Sequence, residues 1–358
     1  MTQGSFLKRR WKLILNILTV VALLALVFAI REQLLETVKN LGKVHAWALL
    51  LLIPAQLANY HAQTKMYQGL FAIVGNKVRY KFLFRVGLEL NFVNHVFPSG
   101  GVTGISYYGA RLKSEHITAS KASLVQMMKL ILYLLSFAVL LLLGLICMAA
   151  GNKVNDLVIM VTTMVLAAMF GATGVFAFII GSETRIKATF TFLTQVLNKL
   201  IHLVRPKFPE TINIANVESA VLDLHENYKL IQSRYRDLKA TFVWAFVANV
   251  TEVLTIYVVY LAFGEWVNIG AVILAYGVAN FAGLVSIMPG GAGVYEALMT
   301  GVLAAAGVPA RLSIPVTIMY RVLSTLIQVP IGYYFYAQNL RKTKTAAEQR
   351  QEMHGDAF

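Results

Sequence analysis

FPSGGVTG at Phe97–Gly104 and MPGGAG at Met288–Gly293 are the two stretches that decide how this chain folds. Each interrupts a segment that is otherwise apolar enough to lie in a bilayer. Proline lacks the backbone N–H and clashes with the preceding turn, and glycine loses the most entropy on ordering, so neither stretch continues a helix. Broken backbone is tolerated at membrane depth only where protein or a water-filled cavity satisfies it. Two such breaks in corresponding halves are a pointer to a transporter's binding site.

The composition indicates an all-α polytopic membrane protein. Of the 358 residues, 58% are hydrophobic and 14% are charged, whereas a soluble domain carries about 25% charged residues. The segments 13–30 and 131–150 contain no charge and are long enough to span. The net charge of +15 lies largely at segment ends and in loops, which favours membrane topology and anionic lipid headgroups over nucleic acid as its explanation.

The basic residues also predict the topology, because cytoplasmic loops are rich in Lys and Arg. Both termini are expected in the cytoplasm. Each span takes the chain from one side of the membrane to the other. With the basic loops inside, the hairpin 82–113 must therefore begin and end on the cytoplasmic side, and the hairpin 267–307 must begin and end on the outer side. A loop is predicted at 31–44 and a helix at 45–73. The predicted units are a cytoplasmic N-terminus at 1–12, a first membrane half at 13–149, a connecting span at 150–181, cytoplasmic or interfacial helices at 182–239, a second membrane half at 240–340 and a basic cytoplasmic tail at 341–358.

Hairpins that enter from opposite sides indicate an inverted repeat, so the expected fold has about six full spans plus two broken or re-entrant hairpins. Polar residues and prolines recur at offsets of 189 to 192 residues. Chance is the alternative explanation, but polar matches inside apolar helices are harder to obtain by chance than apolar ones. The matched pairs are Asn59 with Asn249, Asn91 with Asn280, Pro98 with Pro289, and Lys129 with Arg321.

The segment 182–239 shows two helical patterns. Apolar residues from Ile186 to Val204 form one stripe, which is typical of a helix lying at the membrane interface. From Val217 to Leu238 the apolar spacing alternates between four and three residues, a heptad-like seam. Packing against a neighbouring helix explains this seam more simply than a dimerising coiled coil.

Ionisable side chains at membrane depth are expensive and are functional candidates by default. Lys129 and Arg321 lie well inside long apolar segments. One interpretation is a pair of buried ion bridges, for example with Glu252 and Glu296. The other is an anion site, and a carboxylate could hold each cation until an anionic substrate displaces it. Glu296 is better explained as a counter-ion for Arg321 than as a proton-coupling carboxylate.

The glycines after each proline favour an anion site, because unpaired backbone N–H groups at a helix N-terminus attract negative charge. The alternative is that they only allow tight turns or close helix packing. The predicted substrate-binding residues are Gly100, Gly101, Gly104, Arg111, Lys129, Gly290, Gly291, Gly293, Glu296 and Arg321. The predicted supporting residues are Asn59, Glu89, Asn91, Pro98, Tyr107, Asn249, Glu252, Asn280, Pro289 and Tyr295. Arg111 is also explained as a positive-inside residue at the foot of the hairpin.

Sequence signatures of enzymes are absent: the chain has no GxSxG, HExxH, Walker loop or CxxC, and its seven histidines are scattered. We therefore expect no enzyme activity, no metal site and no cofactor.

The segment Pro289–Glu296, followed by Gly307-Val308-Pro309 and Tyr320-Arg321, resembles the lysylphosphatidylglycerol synthase transmembrane-region family. Pro98–Gly101 fits the first-half motif, although the acidic residue that the family often has after it is missing. This family forms the membrane half of the bacterial multiple peptide resistance factor. The resemblance implies a membrane half that flips aminoacylated phosphatidylglycerol made by a C-terminal synthetase. Because this chain ends at Phe358, we expect no lipid synthesis by it, and a separate lipid-modifying enzyme is a candidate partner.

These observations lead to three hypotheses for function. The first is a lipid translocase of the bacterial cytoplasmic membrane, whose cargo has an anionic or phosphate-bearing headgroup that meets the glycine N-termini, Lys129 and Arg321. The second is a small-anion or solute secondary transporter on the same scaffold. The third is a non-transporting partner of a lipid or glycan enzyme.

Overall fold

All the secondary-structure elements in the part of the chain that the computed structural model describes are helices. These elements follow from apolar segments separated by Gly, Pro and polar turns. The residues described are 31–42, 44–97, 102–151, 154–204, 225–283 and 293–355, together with Val21 and Phe28. The helices are α1 (Arg31–Leu41), α2 (Ala46–Leu49), α3 (Leu52–Ile73), α4 (Tyr80–Val96), α5 (Val102–Leu112), α6 (Ala119–Ala150), α7 (Asp156–Ile180), α8 (Glu183–Val204), α9 (225–233), α10 (Leu238–Ala262), α11 (Ile269–Gly283), α12 (Val294–Ala305) and α13 (Ala310–Gly355).

Four helices are long and apolar enough to cross a membrane: Ala119–Ala150, Asp156–Ile180, Tyr235–Ala262 and Ala310–Arg341. The chain is therefore an all-α membrane protein. The predicted count of about six spans stays a prediction, because the helix predicted at 13–30 lies outside the described residues apart from Val21 and Phe28.

Two predictions for the region before residue 73 were wrong. The predicted loop at 31–44 contains α1, which has Glu32 in its first turn and Lys39 in its last, so its charges complement the helix dipole. The predicted continuous helix at 45–73 is interrupted by a turn at Leu50–Leu51. Pro54 explains this break, since it has no N–H to bond to the carbonyl of residue 50.

The arms of both predicted hairpins are present. α4 and α5 form the first pair, α11 and α12 form the second, and in each half a long helix precedes and follows the pair. The tips at 98–101 and 284–292 lie outside the described residues, and with them Pro98, Gly100, Gly101, Pro289, Gly290 and Gly291. The inverted relation between the halves remains a prediction.

The last helix continues into the segment that is predicted as a basic cytoplasmic tail. α13 contains Pro315 and Pro330 and continues to Gly355, where a tail was expected from residue 341. Between residues 341 and 354 the chain has no Gly or Pro and is rich in Lys, Arg, Ala, Glu and Gln, which are strong helix formers.

The segment 182–239 is described in two parts, and each part contains a helix. α8 coincides with the first predicted helix, and its apolar stripe begins with the buried Ile186. α9 is anchored through His225, whose Nδ1 lies 2.9 Å from the carbonyl oxygen of Ile180. The positions 205–224, which include the start of the predicted heptad-like seam, lie outside the described residues.

The chain divides into two compact units that do not coincide with its two halves. Unit 1 comprises Met1–Pro54, Arg85–Gly104 and Leu254–Phe358, and therefore contains α1, most of α4 and α11 to α13. Unit 2 comprises Ala55–Phe84 and Ile105–Val253, and contains most of α3, α5 to α9 and the first part of α10. Each unit contains one of the two predicted deep cations, Arg321 in unit 1 and Lys129 in unit 2.

Candidate anion-binding residues

Arg321 of unit 1 forms an ion pair with Glu296. The Nη1 of Arg321, on α13, donates to the Oε1 of Glu296, in the first turn of α12, and the two side chains are 20% and 15% exposed. The guanidinium carbon also lies 4.9 Å from the centre of the Tyr295 ring. The prediction that Glu296 is the counter-ion of Arg321 is confirmed.

The Glu296 carboxylate is held by two further donors. The Nε2 of Gln33 on α1 donates to Oε1 at 3.2 Å, and the backbone N–H of Gly293 donates to Oε2 at 2.7 Å. Gly293 immediately precedes α12, so the carboxylate caps that helix where its dipole favours negative charge. Gly293 has φ of 84° and ψ of −50°, a conformation open essentially only to glycine. One carboxylate thus connects α1, α12 and α13.

Lys129 of unit 2 lies beside two aromatic rings, whereas Arg321 forms an ion pair with a carboxylate. Its Nζ lies 5.2 Å from the centre of the Tyr67 ring and 5.4 Å from that of Tyr133. Among the described residues no carboxylate lies within ion-pair distance of Lys129. The expected ion bridge is therefore present at Arg321 but not at Lys129, where the ring faces provide a weaker cation–π attraction.

Three tyrosines lie at or next to the surroundings of Lys129. Tyr67 donates from its hydroxyl to Gln126 Oε1 at 2.9 Å, and its ring centre lies 5.2 Å from that of Tyr108. The hydroxyl oxygens of Tyr108 and Tyr133 are buried and have no hydrogen-bond partner among the described residues. An unsatisfied buried donor costs free energy, so these hydroxyls and the Lys129 ammonium suit an acceptor-rich group such as a phosphate.

The matched asparagines of the two halves fasten helices of unit 2 together. Asn59 on α3 donates from Nδ2 to the carbonyl of Ala248 at 2.7 Å and to Thr251 Oγ1 at 3.1 Å. Asn249 on α10 donates to Ser136 Oγ on α6 at 2.7 Å. Both side chains are buried. Each asparagine therefore has a packing role, which holds α10 to α3 and α6.

The other predicted residues are dispersed. Arg111, at the end of α5, lies 5.2 Å from the Phe82 ring centre, near the exposed basic loop that follows α3. The Nδ2 of Asn280 donates to a carbonyl of its own helix. Gly104 faces Asn94, and a Cβ at this position would require the Asn94 side chain to move. Glu89 is buried in unit 1, Asn91 offers its carbonyl to His95, and Tyr107 and Glu252 are half-buried.

The family can now be stated from comparison with known proteins. Residues 13–332 match the family described as "Lysylphosphatidylglycerol synthase TM region". The chain belongs to this family. It is also similar to a UPF0104 membrane protein of Methanothermobacter thermautotrophicus, with 31% identity over 108 residues, which is 30% of this chain and 32% of that protein. A UPF0104 membrane protein of Pyrococcus horikoshii is 23% identical over 209 residues, 53% of this chain and 62% of the relative. These matches span about a third and about three fifths of the two relatives.

Four side chains at the two cations of this lysylphosphatidylglycerol synthase transmembrane-region protein were missed by sequence reasoning: Gln33, Tyr67, Gln126 and Tyr133. Two of them had a readable signal. Gln126 and Tyr133 are three residues before and four after Lys129, so all three lie on one helix face. Tyr67 required the packing of α3 on α6, and Gln33 required α1, which was predicted as a loop.

Proposed function

We propose that this chain is a lipid translocase that moves a phospholipid or related lipid between membrane leaflets. It belongs to a family named for the membrane region of a lipid synthase, and it has helices long enough to span a bilayer. The cargo is a lipid with an anionic or phosphate-bearing headgroup. The membrane is the bacterial cytoplasmic membrane, with both termini in the cytoplasm.

The observation that carries this proposal is the environment of Lys129. Its ammonium group lies on an apolar helix that is long enough to span, beside two tyrosine rings, and no carboxylate of the described residues lies within ion-pair distance of it. A cation in such a place is expensive, and an anion that arrives from outside the chain would remove that cost. A lipid phosphate meets this requirement while its acyl chains remain in the bilayer.

A tyrosine hydroxyl would also orient a phosphate that Lys129 attracts, because a hydrogen bond is directional. Tyr133, one turn after Lys129, has a buried hydroxyl with no partner among the described residues, and a phosphate oxygen would accept its hydrogen bond. A charge-assisted hydrogen bond contributes about 1.5–3 kcal/mol, so the loss of Lys129 should weaken anion binding about tenfold to a hundredfold. Arg321 is already neutralised by Glu296, and it would accept an anion only in exchange for that carboxylate.

The experiment is a leaflet-exchange assay with the full-length chain. Vesicles of phosphatidylcholine with a trace of fluorescent phosphatidylglycerol are prepared with and without the purified protein, and dithionite then destroys the dye in the outer leaflet. We expect the protein to make the inner-leaflet dye accessible, whereas vesicles without protein keep it protected.

Two other outcomes would overturn the proposal in favour of its rivals. Flux of a small anion without dye exchange would indicate a solute transporter. If neither dye nor anion crosses, a non-transporting partner of a lipid or glycan enzyme becomes the better interpretation. The same preparation also measures anion efflux, so one set of vesicles separates all three.

A further inference from the structure

Three segments of unit 2 meet on one strongly basic surface, which the proposed function does not use. They are the loop and first turn after α3 (76–82), the end of α5 with the short helix Lys113–Glu115, and the first turn of α6. We call this surface the basic collar. It carries Lys77, Arg79, Lys81, Arg111, Lys113 and Lys121, against the single carboxylate of Glu115.

Side-chain contacts hold the three segments of the collar together. Arg79 Nη2 lies 3.1 Å from Glu115 Oε1, which joins the loop to the short helix. Lys121 donates from Nζ to Asn76 Oδ1 at 3.1 Å, which joins the loop to α6. Arg111 rests 5.2 Å from the centre of the Phe82 ring. The segments that carry these cations are therefore held next to one another.

Most cations of the collar are exposed. Six cations less one carboxylate leave a net charge of +5. Lys77, Arg79, Lys81 and Lys113 are exposed, and even the paired Arg79 side chain is 82% exposed. Like charges held together repel, so an anionic surface opposite the collar would be strongly attracted.

The position of the collar identifies that surface. Lys121 is in the first turn of α6, the most apolar candidate span, so the collar lies at one end of that span. Tyr80, next to Arg79 and Lys81, approaches His61 and Lys65, and tyrosine is enriched at the membrane–water boundary. Anionic phospholipid headgroups lie at this depth in the bilayer that surrounds the span.

We propose that the basic collar is a docking surface for anionic phospholipid headgroups of the adjacent leaflet. It holds several such lipids by charge, next to the helix that contains Lys129. Lys121 and Lys129 are eight residues apart on α6, which is about 12 Å along the helix. The collar would therefore concentrate anionic lipid beside Lys129, and its binding of lipid does not depend on whether the lipid then crosses the membrane.

The test measures lipid binding by the full-length chain in detergent, where no leaflets exist. Dioctanoyl-phosphatidylglycerol and dioctanoyl-phosphatidylcholine are titrated separately, and binding is followed by native mass spectrometry and thermal shift. The collar variant K77Q/K81Q/K113Q removes three exposed cations and leaves the Arg79–Glu115 pair intact. The control variant R31Q/K39Q/R311Q removes three exposed cations from unit 1.

We expect the wild-type chain to prefer the anionic lipid, with binding that weakens as salt is added. The collar variant should bind phosphatidylglycerol about tenfold or more weakly, while the control variant stays close to wild type. An equal loss of phosphatidylglycerol affinity in both variants would show that only the net charge of the chain matters, and would overturn the proposal. An unchanged affinity in the collar variant would also overturn it. A preference for nucleic acid or soluble acidic protein over the lipid would overturn it too. Failure of leaflet exchange would leave this result unchanged.

Discussion

Arg321 and Lys129 are both cations within apolar helices, and they differ in how their charge is balanced. Arg321 has the Glu296 carboxylate, which Gln33 and Gly293 also hold in place. Lys129 lies beside the faces of Tyr67 and Tyr133, with no carboxylate of the described residues within ion-pair distance. In the proposed function, an incoming phosphate would complete the site at Lys129, whereas at Arg321 it would have to compete with the carboxylate of Glu296.

We expect Glu296→Gln to lower stability by about 2 kcal/mol, because it leaves the half-buried Arg321 without its counter-charge. Thermal unfolding of the purified chain in detergent measures this loss. Glu115→Gln is the matched control, since its partner Arg79 is almost fully exposed and such surface pairs contribute about 0–1 kcal/mol. Equal losses in the two variants would contradict the structural role of the Arg321–Glu296 pair.

The conformation of Gly293 gives a second prediction for a single residue. Gly293→Ala places a Cβ at φ of 84° and ψ of −50°, where no neighbouring atom lies within 4 Å, so the cost is backbone strain of about 1–3 kcal/mol. Gly301→Ala in the middle of the same helix also meets open space and should be neutral or stabilising. Unfolding temperatures that fall equally in both variants would refute strain as the cause.

At the scale of helices, the sequence predicts most boundaries because long apolar segments and Pro-Gly breaks dominate them. The hairpin arms and the helices that flank them follow from periodicity and length. The turn at Leu50–Leu51 and the helix α1 did not follow, because each depends on a weaker signal: one proline in a first turn, and dipole-matched charges in a polar segment.

Prediction of the site was limited in the same way. Complementary charge is sufficient to suggest Arg321 with Glu296. Tyr133 could be predicted beside Lys129 from its position four residues later on the same helix, but Tyr67 becomes a neighbour only after α3 packs on α6, a contact that no local pattern encodes. For the glycines the sequence leaves an anion site and close packing as two explanations; Gly104 faces the side chain of Asn94, and Gly293 has a φ of 84° that favours glycine.

The packing of α13 on α4 within unit 1 provides a test at this scale. A Cβ on Gly332 would lie 2.5 Å from the carbonyl oxygen of Leu88 and 2.6 Å from Phe92 Cβ, so Gly332→Ala must push the helices apart. We expect a loss of about 1–3 kcal/mol in thermal unfolding. Gly87→Ala on α4 meets no atom within 4 Å and should be tolerated. Equal stability of the two variants would contradict close packing at Gly332.

For the whole molecule, the proposed topology puts the loop after α3 inside and the turn after α10 outside. Cysteines replace the exposed Lys77 and Glu265 one at a time in a Cys147→Ala background. An impermeant maleimide should label Glu265→Cys in intact cells and Lys77→Cys only in inverted vesicles, because the reagent cannot cross the bilayer. Labelling of both positions from the same side would refute the proposed topology.

The chain belongs to a family named for the membrane region of a lipid synthase, and its own residues suggest how it would bind and move a lipid. The basic collar would bind anionic headgroups near the first turn of α6. Lys129, which lies eight residues further along α6, would then bind the phosphate of the lipid. The exchange of lipid between leaflets is the step on which this account depends.

The most direct test of that step is the leaflet-exchange rate of fluorescent phosphatidylglycerol in vesicles that contain wild-type, Lys129→Gln, Lys129→Arg or Lys239→Gln protein in equal amounts. Lys239 is an exposed cation on α10 and serves as the control. We expect Lys129→Gln to slow exchange about tenfold or more, because the phosphate loses its counter-charge, while Lys129→Arg largely preserves exchange and Lys239→Gln leaves it unchanged. Wild-type exchange no faster than in protein-free vesicles, or a Lys129→Gln rate equal to that of wild type, would contradict lipid translocation through Lys129.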